Sequence, residues 1–342
     1  MSAKRNPWGH LLRVVCFLLL SALLFRLAAG VLRPNRPGDG FLSAEPANSL
    51  DVLFCGSSHM LNAVAPVQLW QEHGIASGNL AKNGQVLPVT YYALMDALRR
   101  QRPKLVVVDV YKVIHDTLYG TDAELHTSLD DLPLGTAKLR AVRDLLPPRR
   151  RAEYLADFIV YHSRWKELSA ADFQPPDTTQ KGAQALFTVA APYAGWAVLP
   201  EDETAPPVQV ELEYLERIVQ LCRREGIELL LVAVPFTTPE QDELNRQAAV
   251  NAVSDYAKVW GVPFVNLMHR TGEMGFDFST DMADTYHVNW RGMEKVTAWL
   301  GEYLAGHYDL PDRRGEAAYR DWDNVSAAYD AYLAAGAAAQ GG

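Results

Sequence analysis

Cysteine is scarce in this chain: Cys16, Cys55 and Cys222 are the whole complement in 342 residues. An odd, widely spaced set supplies neither a disulfide framework nor a metal-ligand spacing. Apolar packing is the reading for all three, since Cys16 lies in an apolar segment, Cys55 in an expected strand and Cys222 on an expected helix. Beyond residue 36 acidic residues outnumber basic ones, 41 to 26. Residues 1–36 carry Lys4, Arg5, Arg13, Arg26, Arg33 and Arg36 and no acid, and removing those six charges from the whole-chain −9 leaves −15 for the rest. Such a body lacks the basic face that nucleic-acid phosphates require. It is also repelled at long range by an anionic wall polymer, although local patches remain able to bind one. Internal repeats are absent.

What is present begins with an apolar run. Val14–Leu32 is nearly all apolar, has Arg26 as its only charge, and follows Lys4, Arg5 and Arg13. Nineteen residues suffice to cross a bilayer, and basic residues before the span hold the N-terminus inside. The run fits a retained signal anchor or a signal peptide cleaved near Ala28-Ala29-Gly30. The anchor is preferred because Arg26 falls where a cleavable segment should be apolar. The chain then divides into an anchor (1–36), a Pro/Gly-rich linker (37–48), an α/β domain (49–310) with an insertion at about 115–205, and an Ala/Gly-rich tail (311–342), helical or disordered.

Between residues 49 and 310, short apolar runs alternate with helical patterns. The runs are Val52-Leu53-Phe54, Leu105–Val108, Leu229–Val234 and Phe264–Leu267. Continuous runs of this kind suit parallel strands covered on both faces. Pro66 opens a helix that stops at Gly74, and Pro88 opens one that ends before Pro103. Leu212, Leu215, Val219 and Cys222 share a face that stops at Gly226. Thr238-Pro239-Glu240-Gln241 forms a capping box for a helix ending at Gly261. The alternation predicts an open, parallel, three-layer α/β sheet. The insertion, which carries Arg149-Arg150-Arg151, is expected to pack beside that sheet.

Ligands of open α/β sheets bind at the carboxyl ends of the strands. The first strand ends Cys55-Gly56-Ser57-Ser58-His59, placing a candidate nucleophile there, although small residues in such a place also make ordinary turns. Near the other end, Asp284-Thr285-Tyr286-His287-Val288-Asn289 precedes a helix capped by Asn289, with Val296, Trp299, Leu300 and Leu304 on one face. Asp284 is spaced to hold the His287 imidazole in one tautomer. A surface turn in which Asp284 caps an amide is the alternative. A third piece, Asn79-Leu80-Ala81-Lys82-Asn83-Gly84-Gln85, presents Gly84, whose N–H could join that of Ser58 in holding an oxyanion.

These pieces, in this order, resemble the SGNH (GDSL-type) hydrolase superfamily over roughly residues 50–115 and 225–305. Gly56-Ser57-Ser58 stands at its Gly-Asp-Ser block, Gly84 at its second-block glycine, and Asp284 and His287 at its Asp-x-x-His block. The resemblance implies a flavodoxin-like α/β/α fold with catalytic Ser58, His287 and Asp284. It implies an oxyanion hole from Ser58 and Gly84, with Ser57, His59, Tyr111 and Lys112 lining the cleft. One block departs. The family's third-strand Asn is missing from Val108-Asp109-Val110-Tyr111-Lys112-Val113, where Tyr111 or Lys112 could supply a donor. Gly-Ser-Ser, the missing Asn and the anchor are similar to the DltD and alginate-acetylation branches. These work outside the membrane beside a membrane-bound O-acyltransferase and place acyl groups on cell-envelope polymers.

The expected function is therefore extracytoplasmic, serine-dependent O-acyl transfer onto an envelope glycan or polymer, from a single-pass membrane chain, without metal or organic cofactor. An esterase removing O-acyl groups uses the same residues. An inactive envelope scaffold or glycan-binding protein is the reading that the missing Asn favours. His115, His126 and His162 lack metal-ligand spacing and are read as surface or packing residues. Trp165, Lys166, Tyr193 and Trp196 either line an acceptor groove or pack the insertion. Asn324-Val325-Ser326 is a weak glycosylation match.

Overall fold

The computed structural model describes residues 7–36, 38–114, 121–190, 198–237 and 241–340. His115, Tyr193, Trp196, Lys4, Arg5 and the capping box at Thr238 lie outside the described residues. The first helix, α1 (Pro7–Leu32), is continuous, and most of its described apolar side chains are exposed, whereas Leu32 at its end is buried. It is the one described helix long and apolar enough to cross a membrane.

Five strands follow: β1 (Val52–Cys55), β2 (Ser77–Asn79), β3 (Leu105–Asp109), β4 (Glu228–Ala233) and β5 (Phe264–Asn266). They form one sheet in the order β2-β1-β3-β4-β5, every pair parallel. All residues of β1 and β3 are buried, as their unbroken apolar sequences require. The β2 strand is short and polar (Ser-Gly-Asn), so its sequence signal was weak.

The connecting helices begin and end at the expected punctuation. After the single turn α2 (Phe41–Ala44) and the short α3 (Ser58–Ala63), α4 (Pro66–His73) starts on Pro66 and stops where Gly74 turns left-handed. Next comes α5 (Leu87–Ala97), with Pro88 in its first turn. The insertion contributes α6 (Asp122–Leu129), α7 (Thr136–Leu145), α8 (Arg151–Leu155) and α9 (Asp157–Tyr161), with 3₁₀ turns at His162–Lys166 and Ala170–Phe173. The chain continues through α10 (Gln209–Glu225), α11 (Gln241–Trp260), the single turn α12 (Thr271–Met274), α13 (Trp290–His307) and α14 (Asp321–Ala338). Pairing of α5 with α10 and of α4 with α13 puts a helical layer on each face, as right-handed crossovers require. Val296, Leu300 and Leu304 are the buried stripe of α13, whereas Trp299 sits at its margin and donates to Glu273.

Two segments are more integrated than their composition suggested. The Pro/Gly-rich stretch expected to be a linker buries Asp39 and Phe41. The Asp39 carboxylate accepts from Lys82 Nζ at 3.0 Å, and Lys82 also meets Asp131 at 3.1 Å. Arg36 donates to the His126 carbonyl and to the Tyr161 hydroxyl, while Arg33 lies 3.7 Å from Asp131. The Ala-rich tail is helical and docks on α4. Trp322 stacks on Trp70 with ring centroids 5.1 Å apart, Tyr329 is buried, and Arg313 forms a fork on Asp51 with both N–O distances 2.9 Å. Burying an aromatic ring of this kind contributes on the order of 2 kcal/mol, enough to order a helix that Ala propensity alone leaves marginal.

Candidate active site

The sheet order reverses between β1 and β3, which opens a crevice at their carboxyl ends. The chain leaves β1 through Gly56 at φ +148°, and a Cβ there would sit 2.8 Å from Asp109 Cβ and 3.3 Å from Met60 Cβ. Glycine is thus required both by backbone conformation and by the close approach of the end of β3. The next residue, Ser57, is extended and fully buried. Its Oγ accepts from His59 N and donates to Asp109 Oδ2, both at 3.4 Å. This cap turns the chain into α3, whose first residue is Ser58.

Ser58 Oγ lies 2.8 Å from His287 Nε2, across 229 residues of sequence. On the other side of the ring, His287 Nδ1 is 2.9 Å from both Asp284 oxygens. An ionised carboxylate only accepts, so Nδ1 carries the proton and Nε2 is left to accept from the serine hydroxyl. Burial pushes the Asp284 carboxyl up. The hydrogen bond and charge of His287, with the amides of Tyr286 and His287, outweigh that and hold it below the ordinary carboxylate range.

The turn carrying this pair is fixed locally. Asp284 Oδ1 accepts from Tyr286 N at 2.8 Å and His287 N at 2.9 Å, so the carboxylate builds its own turn. Met282 and Val288 bridge across it, and Thr285 O accepts from both N and Oγ1 of Thr237 beyond β4. Asn289 then caps α13 through Arg291 N and Gly292 N, while its amide donates to Thr280 O and Met282 O. Every hydrogen-bonding group of that buried side chain points to holding the turn in register with the helix.

The other residues singled out from the sequence gather around this pair to different degrees. His59 is buried, stacks on Tyr111 with ring centroids 3.5 Å apart, and lies 5.5 Å from the His287 ring. Tyr111 also meets Phe236 edge-on, and Arg246 donates to its hydroxyl at 3.4 Å. Lys112 is buried among Glu124, Glu211 and Asp109. Desolvation lowers its pKa, and those carboxylates oppose the fall. Gly84 sits in a turn at φ +69°, and a Cβ would strike the Glu124 side chain. The turn is tied to the β1 exit by Lys82 N donating to Gly56 O at 3.4 Å. Among the described residues, neither Ser58 N–H nor Gly84 N–H donates a hydrogen bond, so neither donor is spent on the fold.

His126 packs inside the insertion, stacked on Tyr154 and bonded to Asp130. His162 is exposed. Trp165 is exposed too, with the Lys166 ammonium 5.7 Å over its ring. No metal-binding group of three or more His, Cys, Asp or Glu occurs among the described residues.

Two positions were not identified from the sequence. Asp109, fully buried at the end of β3, is pushed up to about 7 by desolvation, against hydrogen bonds from Tyr111 N, Val234 N and Ser57 and the charge of Lys112. Its signal was one acid closing an otherwise apolar strand, passed over in a search for Asn. Asn79 staples α3 to β2, its amide donating to Met60 O at 2.9 Å and Val64 O at 3.3 Å while its oxygen accepts from Ala81 N.

No protein-family model matches the chain, and no curated protein matches it. Among solved structures it is similar to a lipase/acylhydrolase from Enterococcus faecalis, with 12% identity and a TM-score of 0.40, over 77% of this chain and 98% of that one. It is similar to a protein from Bacteroides fragilis assigned as an acylhydrolase, with 10% identity and a TM-score of 0.38, over 78% and 92% of the two chains. A third is a family two carbohydrate esterase from Clostridium thermocellum in complex with cellohexaose, with 12% identity, a TM-score of 0.34 and coverage of 77% and 65%. The functional reading rests on the geometry of Ser58, His287 and Asp284.

Proposed function

We propose that this chain is a serine-dependent acyl-transfer or ester-hydrolysis enzyme of the SGNH type, with Ser58 as nucleophile, His287 as base and Asp284 as its orienting carboxylate. The observation that carries the reading is the unbroken contact from Ser58 Oγ through His287 to Asp284, made by residues from opposite ends of the fold. His287 Nε2 takes the Ser58 proton as Oγ attacks an acyl carbonyl. The N–H groups of Ser58 and Gly84 hold the oxyanion. Collapse of that adduct expels the alcohol, which receives the proton from His287. A second hydroxyl then attacks the acyl-serine, losing its proton to His287, and regenerates Ser58.

The finer reading is O-acyl transfer onto a glycan or polymer of the cell envelope, by a catalytic domain held outside the membrane on α1 and working beside a membrane-bound O-acyltransferase. It is supported by the apolar N-terminal helix and by the resemblance of Gly56-Ser57-Ser58 to the DltD and alginate-acetylation branches. Hydrolysis of O-acyl groups uses the same residues with water as acceptor. The contact from Ser58 to His287 disfavours an inactive scaffold.

Fluorophosphonate labelling followed by peptide mass spectrometry tests the reading. The adduct is expected on Ser58 and is lost in His287→Ala. An unlabelled folded protein, or an adduct on Ser57, would overturn it. The protein for this test must keep Arg33 and Arg36, which are bonded into the fold. Turnover of an acetylated glycan by the isolated chain would then favour hydrolysis, and turnover only beside a membrane acyltransferase would favour transfer.

A further inference from the structure

Among the described residues outside α1, the insertion carries most of the exposed large hydrophobic side chains. Of eight such side chains among the described residues beyond α1, seven lie in the insertion: Leu134, Leu139, Leu155, Ile159, Trp165, Phe173 and Val189. Scattered exposed apolar residues are ordinary in a soluble protein, but a concentration of this kind marks a contact surface.

Ile159, Trp165 and Phe173 lie on elements that touch the apolar helix. α1 packs against α9 and against the 3₁₀ turns at His162–Lys166 and Ala170–Phe173. Phe25 meets Phe158 edge-on with centroids 5.2 Å apart. Arg164 donates to Leu32 O, and Arg33 donates to Asp130 O. Between α1 and the insertion lies a cavity of about 610 Å³, reached on the helix side by residues from Ala22 onward and on the other by Leu155 and Phe158. Arg26, the one charge inside the apolar run, lines this cavity together with Asp157 and Asp172. The cost of a charge within a span is thereby reduced, because its head has a polar recess to enter.

Length turns these contacts into a depth. At 1.5 Å per residue, Trp8 to Ala22 covers about 21 Å and Trp8 to Phe25 about 26 Å. The hydrocarbon of a bilayer is about 30 Å thick. Even with Trp8 at the far boundary, the helix therefore meets the insertion about 4–9 Å before it clears the hydrocarbon, and tilting increases the shortfall. The elements that touch it lie at that same depth, within the range to which amphipathic segments settle into an interface.

We propose that the insertion is seated in the bilayer interface on its own side of α1, with Leu155, Ile159, Trp165 and Phe173 against lipid. The inference rests on the membrane reading of α1. The side chains suit this seat: Trp165 with Lys166 above its ring is an amphipathic interfacial pair, and exposed Arg140 and Arg149 suit anionic headgroups.

Site-directed spin labelling of the full chain tests it. With Cys16→Ser, and with Cys55 and Cys222 buried, single cysteines at Leu18, Ile159, Phe173 and Val259 carry the nitroxide. The chain is placed in nanodiscs of phosphatidylcholine and phosphatidylglycerol in equal parts. The ratio of oxygen to nickel-chelate accessibility is expected to be several-fold higher at Ile159 and Phe173 than at Val259, which is exposed on α11. A high ratio at Leu18 with aqueous ratios at both Ile159 and Phe173 would overturn the seating while leaving the membrane helix intact. An aqueous ratio at Leu18 would overturn the membrane reading and the seating together.

Discussion

Replacing Asp284 with Asn separates the two tasks given to that carboxylate. Asn keeps one oxygen, which can accept from the turn amides and from His287 Nδ1–H, so the loop geometry survives. What it removes is the negative charge beside an imidazole that becomes cationic as Ser58 attacks. Two unit charges about 4 Å apart interact by about 1 kcal/mol in water and about 4 kcal/mol near a protein surface. The Asp284 side chain is 53% exposed, which places the loss at the lower end, about 1–2 kcal/mol, or roughly five- to thirty-fold in rate. The roughly 10⁴-fold loss that follows when the Asn amide instead imposes the wrong imidazole tautomer is the contrasting outcome, expected only if its NH2 rather than its oxygen faces Nδ1. His287→Ala removes the base itself and should cost about 10²–10⁴-fold. The assay is the second-order rate of fluorophosphonate labelling at Ser58, which reads activation of the nucleophile whatever the acceptor. Equal losses for Asp284→Asn and His287→Ala, or no loss for Asp284→Asn, would refute the assigned roles.

Truncation gives a sharp contrast. Removing residues 1–36 rather than 1–31 deletes Arg33 and Arg36 with their bonds to Asp130 O, His126 O and the Tyr161 hydroxyl, and leaves the buried Asp130 carboxylate to His126 and Tyr161 alone. Losing these charged hydrogen bonds should cost roughly 2–3 kcal/mol and lower the melting temperature by roughly 4–12 °C, and equal melting by circular dichroism would contradict it. Gly56→Ala forces a Cβ against Asp109 in a left-handed conformation and should destabilise the fold by about 1–3 kcal/mol while slowing labelling of Ser58; a variant that melts and labels like the parent would oppose this. Burial raises Asp109 to about 7 and Glu211 to about 8. Both are protonated in the fold and ionised in the unfolded chain between about pH 4 and those values. Folding then takes up protons, so stability falls as pH rises from about 4 to about 8 and levels off above. Asp109→Asn with Glu211→Gln should flatten that slope in thermal melts.

The parts of the molecule that were legible in the sequence follow one rule. Where a pattern is local, it reads correctly: Pro66 and Gly74 bound α4, Gly226 ends α10, and Asn289 caps α13 through its own side chain. The same holds for the turn from Asp284 to His287, because a short carboxylate bonds amides two and three residues away. Where a role depends on what folds against a residue, the sequence is silent. Asp39 resembles a linker residue until Lys82 and Asp131 arrive from elsewhere in the chain. The Ala-rich C-terminus has no amphipathic stripe to announce that Trp322 finds Trp70. Asp109 matters because Gly56 and Ser57 pass beside it, a contact across 52 residues.

The 229 residues separating Ser58 from His287 also bear on when the site can form. β1, which delivers the serine, pairs early in the chain with β2 and β3, whereas the base arrives only after β5 has been added at the sheet's far edge. A chain emerging from the ribosome carries Ser58 long before His287, its proposed base, exists. On the proposed roles, the nucleophile is inert throughout synthesis, and its activation is tied to completion of the sheet. Acquisition of labelling by chains of increasing length would therefore time the docking of the last βα unit.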